Sequence, residues 1–235
     1  MAQPFALYGL HAARAAWANP ARAVRALYVA DGRGWDAPSG LARPRPEVVP
    51  RHRLDRLAGP GAVHQGAVLL ADPLPEADAS DFAALPRGLV VVLDQVTDPR
   101  NVGAILRSAC AFGASGLLLQ RRHAPPLSGA LAKAASGAVE HLPVATAVNL
   151  TRALEQLKDA GFTAIGLDER GGDIRALPPA DKTALVLGAE GPGIRRLVRE
   201  ACCHLARLPT AGPVPTLNVS AAAAAALFAL CPRVG

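Results

Sequence analysis

Six strand-like runs, most of them largely apolar and separated by helical stretches, restrict the possible folds of this chain more than any other property of its sequence. The runs are LVVVL at 89–93, GLLLQ at 116–120, HLPVA at 141–145, FTAIGL at 162–167, ALVLG at 184–188 and HLARL at 204–208. Helical patterns start near Pro99, Leu127, Leu150, Ile194 and Asn218. Strands that are apolar throughout, instead of alternating, are buried on both faces, and strand–helix–strand succession joins parallel neighbours through crossovers. From residue 89 onward the chain is therefore expected to form an α/β domain around a mostly parallel sheet.

Upstream the pattern changes. Gly9 to Trp17 is Ala-rich and helical, ALYVA at 26–30 and Ala67 to Leu70 are strand-like, and Arg43, Arg45, Arg51, Arg53 and Arg56 lie between those strands. Residues 72–88, DPLPEADASDFAALPRG, mix prolines, acids and small residues between apolar regions and read as a linker. The expected organisation is a small N-terminal α+β domain over 1–75, a linker over 76–88 and the main domain over 89–235.

With 235 residues, 51% of them hydrophobic, the chain can bury a substantial core. A net charge of +6 and a pI near 9.7 favour a polyanionic partner. The charge is almost all arginine, with Lys133, Lys158 and Lys182 the only lysines. Arginine suits bidentate phosphate contacts, although a compositional bias explains the preference equally well. Cys110, Cys202, Cys203 and Cys231 lack CxxC spacing and a nearby histidine pair, which implies reduced, mostly buried thiols in a cytoplasmic protein and no metal site. The opening MAQPFALYGLHAARAAW lacks the basic and apolar regions of a signal peptide. Val219 to Cys231 is apolar apart from Ser220 but too short for a bilayer, so a core helix and no membrane association are expected.

Three polar islands follow strand-like runs, at the strand ends where open α/β sheets keep their ligands. After LVVVL, Thr97 or Asp98 can cap a helix that begins at Pro99 and that Gly113 stops. Arg100 and Arg107, seven residues apart, share a helix face at about 100° per residue, with Asn101 roughly a quarter turn away. In the second island Gly188, Gly191 and Gly193 permit tight turns and close approach of a ligand to main-chain amides. Their GxxGxG spacing is not the dinucleotide fingerprint GxGxxG, which counts against a nicotinamide-dependent oxidoreductase. Glu190, a carboxylate in an apolar, glycine-lined turn, points to a function. In the third island, Leu205 to Leu230, a Pro- and Gly-rich loop leads into an alanine-rich helix suited to a core or a dimer interface. Thr216, Asn218 and Ser220 there could serve as caps alone.

The stretches DPRNVGAILRSACAFG, KAASGAVEHLPV, LVLGAEGPGI and LPTAGPVPTLNVSAAAA, in this order, resemble the SpoU or TrmH branch of the SPOUT methyltransferases. Those enzymes methylate ribose 2′-hydroxyls in RNA with S-adenosyl-L-methionine. YGLHAARAAW and GAVHQGAVL are similar to the small substrate-binding domain of bacterial large-subunit rRNA guanosine 2′-O-methyltransferases, so the likeness covers nearly the whole chain. It implies a SPOUT α/β-knot with a deep C-terminal trefoil knot, an N-terminal substrate-binding domain and a homodimer joined at the knot. By motif position it assigns catalysis to Asn101, Arg107, Glu190, Thr216 and Asn218. Cofactor binding falls on Gly188, Glu190, Gly191, Leu208, Pro209, Leu217 and Asn218, mostly through the backbone.

RNA contacts are expected at Arg43, Arg45, Arg51, Arg53, Arg56 and Arg100. Thr216 stands where the family usually has serine; it keeps the hydroxyl but adds a methyl and stiffens χ1, and activity is expected to survive. The resemblance leaves open whether Arg107 is a general base or a phosphate-binding cation, and whether Glu190 orients the arginine or an asparagine. A tRNA methyltransferase and a catalytically silent RNA-binding assembly factor are the alternatives; the intact Asn101, Arg107, Glu190 and Asn218 set speaks against the second.

Overall fold

The computed structural model describes residues 4–31, 35, 41–213 and 216–231. Its first elements are β1 (Phe5–Tyr8), α1 (Leu10–Ala18), β2 (Val24–Ala30), β3 (Glu47–Val49), α2 (Arg51–Ala58), β4 (Ala67–Ala71) and α3 (Ala79–Ala83). Then follow β5 (Gly88–Asp94), α4 (Pro99–Ala111), β6 (Gly116–Gln120), α5 (Gly129–Ala135), β7 (Val144–Ala147) and α6 (Leu150–Asp159). The chain continues with β8 (Thr163–Asp173), β9 (Lys182–Gly188), α7 (Arg196–Glu200), β10 (His204–Arg207) and α8 (Val219–Leu230). Two compact units result, one of residues 1–75 with 126–141, the other of 76–125 with 142–235.

In the second unit all six strand-like runs contribute strands to one parallel sheet, ordered β10-β8-β9-β5-β6-β7. Leu89 to Asp94 is buried without a break, as a central strand covered on both faces requires. Helix α4 starts as its residues dictate: Asp98 accepts from the Arg100 N–H at 2.8 Å and Pro99 occupies the first turn. Gly113, at φ 70°, takes the left-handed turn just after the helix. In α6 the buried Leu150, Ala153, Leu154 and Leu157 recur at helical spacing, and the Asn149 side chain caps the Arg152 N–H at 3.2 Å.

The stretch 76–88, expected to be a linker, belongs to this core. Asp78 and Asp81 form a capping box around α3, whose Phe82 is 3% exposed and packs with Val90 and Leu118. A Cβ at position 116 would come within 2.3 Å of the Phe82 ring, so Gly116 makes room for it. The Ala77 N–H donates to the Val144 carbonyl at 3.1 Å. An acidic, proline-flanked composition concealed a single aromatic anchor.

The first unit holds a sheet ordered β1-β4-β2-β3. Residues 126–141 pack here, although their position between β6 and β7 suggested the main domain. Their anchor is Glu140, which receives the Arg22 guanidinium at 2.6 Å and the Asn19 amide at 2.8 Å; both charged side chains are almost completely buried. Such a pair is tolerable in the interior because both charges are hydrogen-bonded.

The arginine-rich segment is divided. Arg43 donates to the carbonyls of Trp17, Arg22 and Asn19 at 3.0, 2.7 and 2.6 Å. With three of its donors committed to the backbone, Arg43 braces the chain. Arg53 pairs with Glu47 at 2.6 Å and stacks over Tyr28, whereas Arg45, Arg51 and Arg56 are exposed. The cysteines are free thiols, but Cys203 is exposed and the other three only half-buried, less hidden than expected. Burial pushes the Cys202 thiol up to about 12.

Candidate functional site

Strand pairing determines where the site forms. β5 and β9 run in register from Gly88 opposite Lys182 to Asp94 opposite Gly188, so the first two polar islands leave the sheet side by side. Asp94, completely buried, accepts from the Arg195 N–H at 2.8 Å and from its Nε at 2.8 Å. This holds the far end of the 188–195 loop. Gly188 must be glycine for a backbone reason: a Cβ there would lie 2.1 Å from the Gly193 carbonyl carbon. The hairpin closes with the Gly193 N–H bonded to the Ala189 carbonyl at 2.9 Å.

Three of the expected catalytic side chains meet beside that loop. Asn101 Nδ2 donates to Glu190 Oε1 at 3.1 Å, Asn218 Nδ2 donates to Asn101 Oδ1 at 3.1 Å, and Asn218 Nδ2 also reaches Glu190 Oε1. The Val219 N–H completes the set at 3.4 Å from the same oxygen. The Asn218 Oδ1 caps α8 by accepting from the Ser220 N–H at 2.9 Å and its hydroxyl at 2.6 Å. Asn218 thus both caps α8 and joins the site, so its polar side chain is not a cap alone. Glu190 is hydrogen-bonded to both asparagines and not to Arg107. Arg107 is exposed on α4 and has no hydrogen bond or ion pair among the described residues; Arg100 is likewise exposed.

A cleft of about 300 Å³ opens at the C-terminal ends of β9 and β10, beside the part of β8 that follows its pairing with β9. Gly188, Glu190, Gly191, Leu208, Thr216 and Leu217 line it, so most of the expected cofactor residues come together; Pro209 and Asn218 are not in its wall. At Gly191, φ is +84° and a Cβ would meet nothing within 4 Å. The sequence reading missed one wall, formed by Leu167, Asp168, Glu169 and Arg170, together with Arg207 opposite. A signal was available, since charged residues follow directly on the apolar run FTAIGL, but only the sheet order places β8 beside β9. Arg170 grips Asp168 with two guanidinium bonds of 2.8 Å, and this hydrogen bonding holds the Asp168 carboxyl below the usual carboxylate range.

Comparison with known proteins bears directly on this geometry. Residues 88–228 match the SpoU rRNA methylase family, and residues 6–77 match the RNA 2′-O ribose methyltransferase substrate-binding family. The chain belongs to the SpoU rRNA methylase family. Among SpoU relatives, it is 42% identical over 185 residues to an uncharacterized tRNA/rRNA methyltransferase of Mycolicibacterium vanbaalenii, covering 76% of this chain and 59% of that protein. It is 39% identical to the Bacillus subtilis TrmH family protein YacO, over 77% of this chain and 75% of YacO. The chain thus spans about three-fifths of the length of the mycobacterial relatives. The SpoU methyltransferase AviRb of Streptomyces viridochromogenes, solved in complex with AdoMet, superposes with a TM-score of 0.78 at 26% identity, covering 97% of this chain and 89% of AviRb. Among the described residues no helix is long and apolar enough to cross a membrane, and no cluster of three or more His, Cys, Asp or Glu could hold a metal ion.

Proposed function

We propose that this SpoU family chain transfers a methyl group from S-adenosylmethionine to a ribose 2′-hydroxyl of RNA, with a guanosine of large-subunit rRNA as the target. The observation that carries the reading is the Asn101–Glu190–Asn218 triangle, whose Glu190 belongs to the loop that also walls the cleft. The cleft suits the cofactor. Its volume is at the lower end of the roughly 300–1,000 Å³ typical of ligand pockets. Its carboxylates, Asp168, Glu169 and Glu190, can face a sulfonium and an ammonium, while Arg170 and Arg207 can face a carboxylate. Backbone groups at Gly188, Leu208 and Leu217 supply the remaining polar contacts.

S-Adenosylmethionine, when bound, supplies a methyl carbon on a cationic sulfur. The protein's part is to align a 2′-oxygen with that carbon, and alignment provides most of the advantage in such a transfer. Glu190 has its Oε1 engaged by two amides and a backbone N–H, so it fixes the two asparagines rather than moving protons. Asn101 and Asn218 then present a rigid polar edge to the ribose. Arg107 remains available for the RNA; because a guanidinium stays protonated, it binds the adjacent phosphate and stabilises developing charge. Thr216 keeps its hydroxyl on the cleft wall. Arg45, Arg51, Arg56 and Arg100 supply phosphate contacts.

The chain acts as a homodimer through α8 and the knotted segment that the family likeness implies, supported by Phe228, 74% exposed at the end of an alanine-rich helix. Labelled methyl donor offered to rRNA and tRNA from a strain lacking the gene, followed by mapping of 2′-O-methyl sites, tests the function. Label in 23S rRNA is expected. Label in tRNA alone would select the tRNA alternative, and label in neither would overturn the reading.

A further inference from the structure

We infer that a second cleft of the same unit, between the ends of β6 and β7 and the start of α7, holds a single-stranded nucleotide of the RNA substrate outside the methylated position. This rests on the reading above that the substrate is RNA. The cleft encloses about 590 Å³ and is lined by Gln120, Val148, Asn149, Arg195, Arg196 and Leu197, among others. Nothing in the methyl-transfer site uses Gln120, Val148, Asn149 or Leu197.

Three features specify its occupant. Val148 and Leu197 are 72% and 57% exposed, and they border one depression, so a flat apolar face has somewhere to lie. Beside them are amides. Asn149 commits its Oδ1 to the Arg152 N–H, which leaves its Nδ2 free to donate; Gln120 has neither amide atom bonded among the described residues. Paired donor and acceptor groups next to an apolar floor match the edge and face of a nucleobase.

The third feature is charge. Arg121 and Arg122 continue the chain from Gln120, Arg152 lies in the first turn of α6, and Arg195 and Arg196 are in the wall. Arg195 and Arg196 are balanced by Asp94 and Glu200, but Arg122 and Arg152 have no ion pair among the described residues. An apolar floor with base-reading amides and uncompensated cations at the rim fits single-stranded nucleic acid, whose bases are unstacked and whose phosphates are regularly spaced. Location agrees. Both clefts open at the C-terminal ends of strands of one sheet, and they share one connection: Gly188 to Gly193 wall the cofactor cleft, Arg195 to Val198 wall this one.

The test places a photo-crosslinking benzoylphenylalanine at Leu197 of the full chain and, as a control, at the exposed Asp181 just before β9, at the N-terminal ends of the strands, away from the cleft. Each is irradiated with labelled 23S rRNA and with labelled tRNA. A crosslink from position 197 and none from 181 is expected. The double variant Val148→Asp/Leu197→Asp should raise the KM for RNA about tenfold or more while leaving S-adenosylmethionine affinity and the thermal midpoint unchanged.

Equal crosslinking at both positions, no crosslink from 197 to either RNA, or an unchanged KM overturns the inference. Its failure is separable from that of the enzymatic reading. Methylation without a crosslink at 197 removes the second cleft alone, whereas a crosslink without methylation by the wild-type chain keeps the cleft as an RNA site and removes the methyl transfer.

Discussion

The Asp94 carboxylate takes both the backbone N–H and the guanidinium of Arg195, residues 101 positions apart, at the point where β5 and β9 leave the sheet together. The strand that launches the Asn101 helix is thereby tied to the loop that carries Glu190. Arg195→Leu should leave a buried carboxylate with only one donor and cost roughly 1–3 kcal/mol. Urea unfolding measures this, and S-adenosylmethionine affinity should fall in parallel. A loss below about 0.5 kcal/mol, the scatter of ordinary surface changes, would mean that the pair does not hold the loop.

Glu190→Gln keeps the shape of the side chain but removes the charge that accepts from Asn101 and Asn218. Turnover should drop on the order of 10²-fold with little change in thermal midpoint. Steady-state kinetics with saturating RNA decides it; near-normal kcat would show that the triangle is ornamental to the chemistry.

Arg107 has no hydrogen bond or ion pair among the described residues that its loss could remove. Arg107→Ala should therefore leave cofactor affinity intact while abolishing methylation, and Arg107→Lys should also fail if the planar fork is needed. Calorimetry with the cofactor and a methylation assay separate the two effects. A lysine variant with wild-type turnover would reduce the requirement to plain positive charge.

Arg170 holds the carboxyl of Asp168, in the wall of the cleft proposed for the cofactor, below the usual carboxylate range. Its pKa is lower in the folded than in the unfolded chain, so its contribution to stability is full above the ordinary carboxylate range and is lost as pH falls through the depressed value. Cofactor affinity should accordingly show no loss from this group between about pH 5 and 8, far above the unperturbed value near 3.9. Asp168→Asn should weaken binding across that whole range. A wild-type affinity that declines through pH 6 to 5, with the decline absent in Asp168→Asn, would contradict the assignment.

Phe228 stacks edge-on to Phe112 at 6.1 Å yet remains largely exposed on α8. Light scattering should give about twice the 24.1 kDa of one chain, and Phe228→Glu should shift the mass towards a single copy. A wild-type mass of one chain at micromolar concentration refutes the dimer.

The central strands of the main sheet were legible because burial on both faces leaves an unbroken apolar run, as in β5, and the start of α4 because Asp98 and Pro99 act within one turn. The triangle was legible only through motif resemblance: Asn101, Glu190 and Asn218 lie up to 117 positions apart, and no periodicity links them. Helix α2 escaped notice because its eight residues bury only Leu54 and are dominated by charge.

By itself the sequence determined the local elements, since capping, chain reversal at glycine and burial of apolar runs depend on residues a few positions apart. Tertiary structure alone decided that β8 stands next to β9, so that Asp168 to Arg170 wall the cleft. It decided that Glu140 belongs with Arg22, that Phe82 is core, and that Arg43 is spent on three carbonyls. Each of those outcomes depends on a partner distant in the chain, chosen because a buried charge or ring is stable only where its hydrogen bonds and volume are matched.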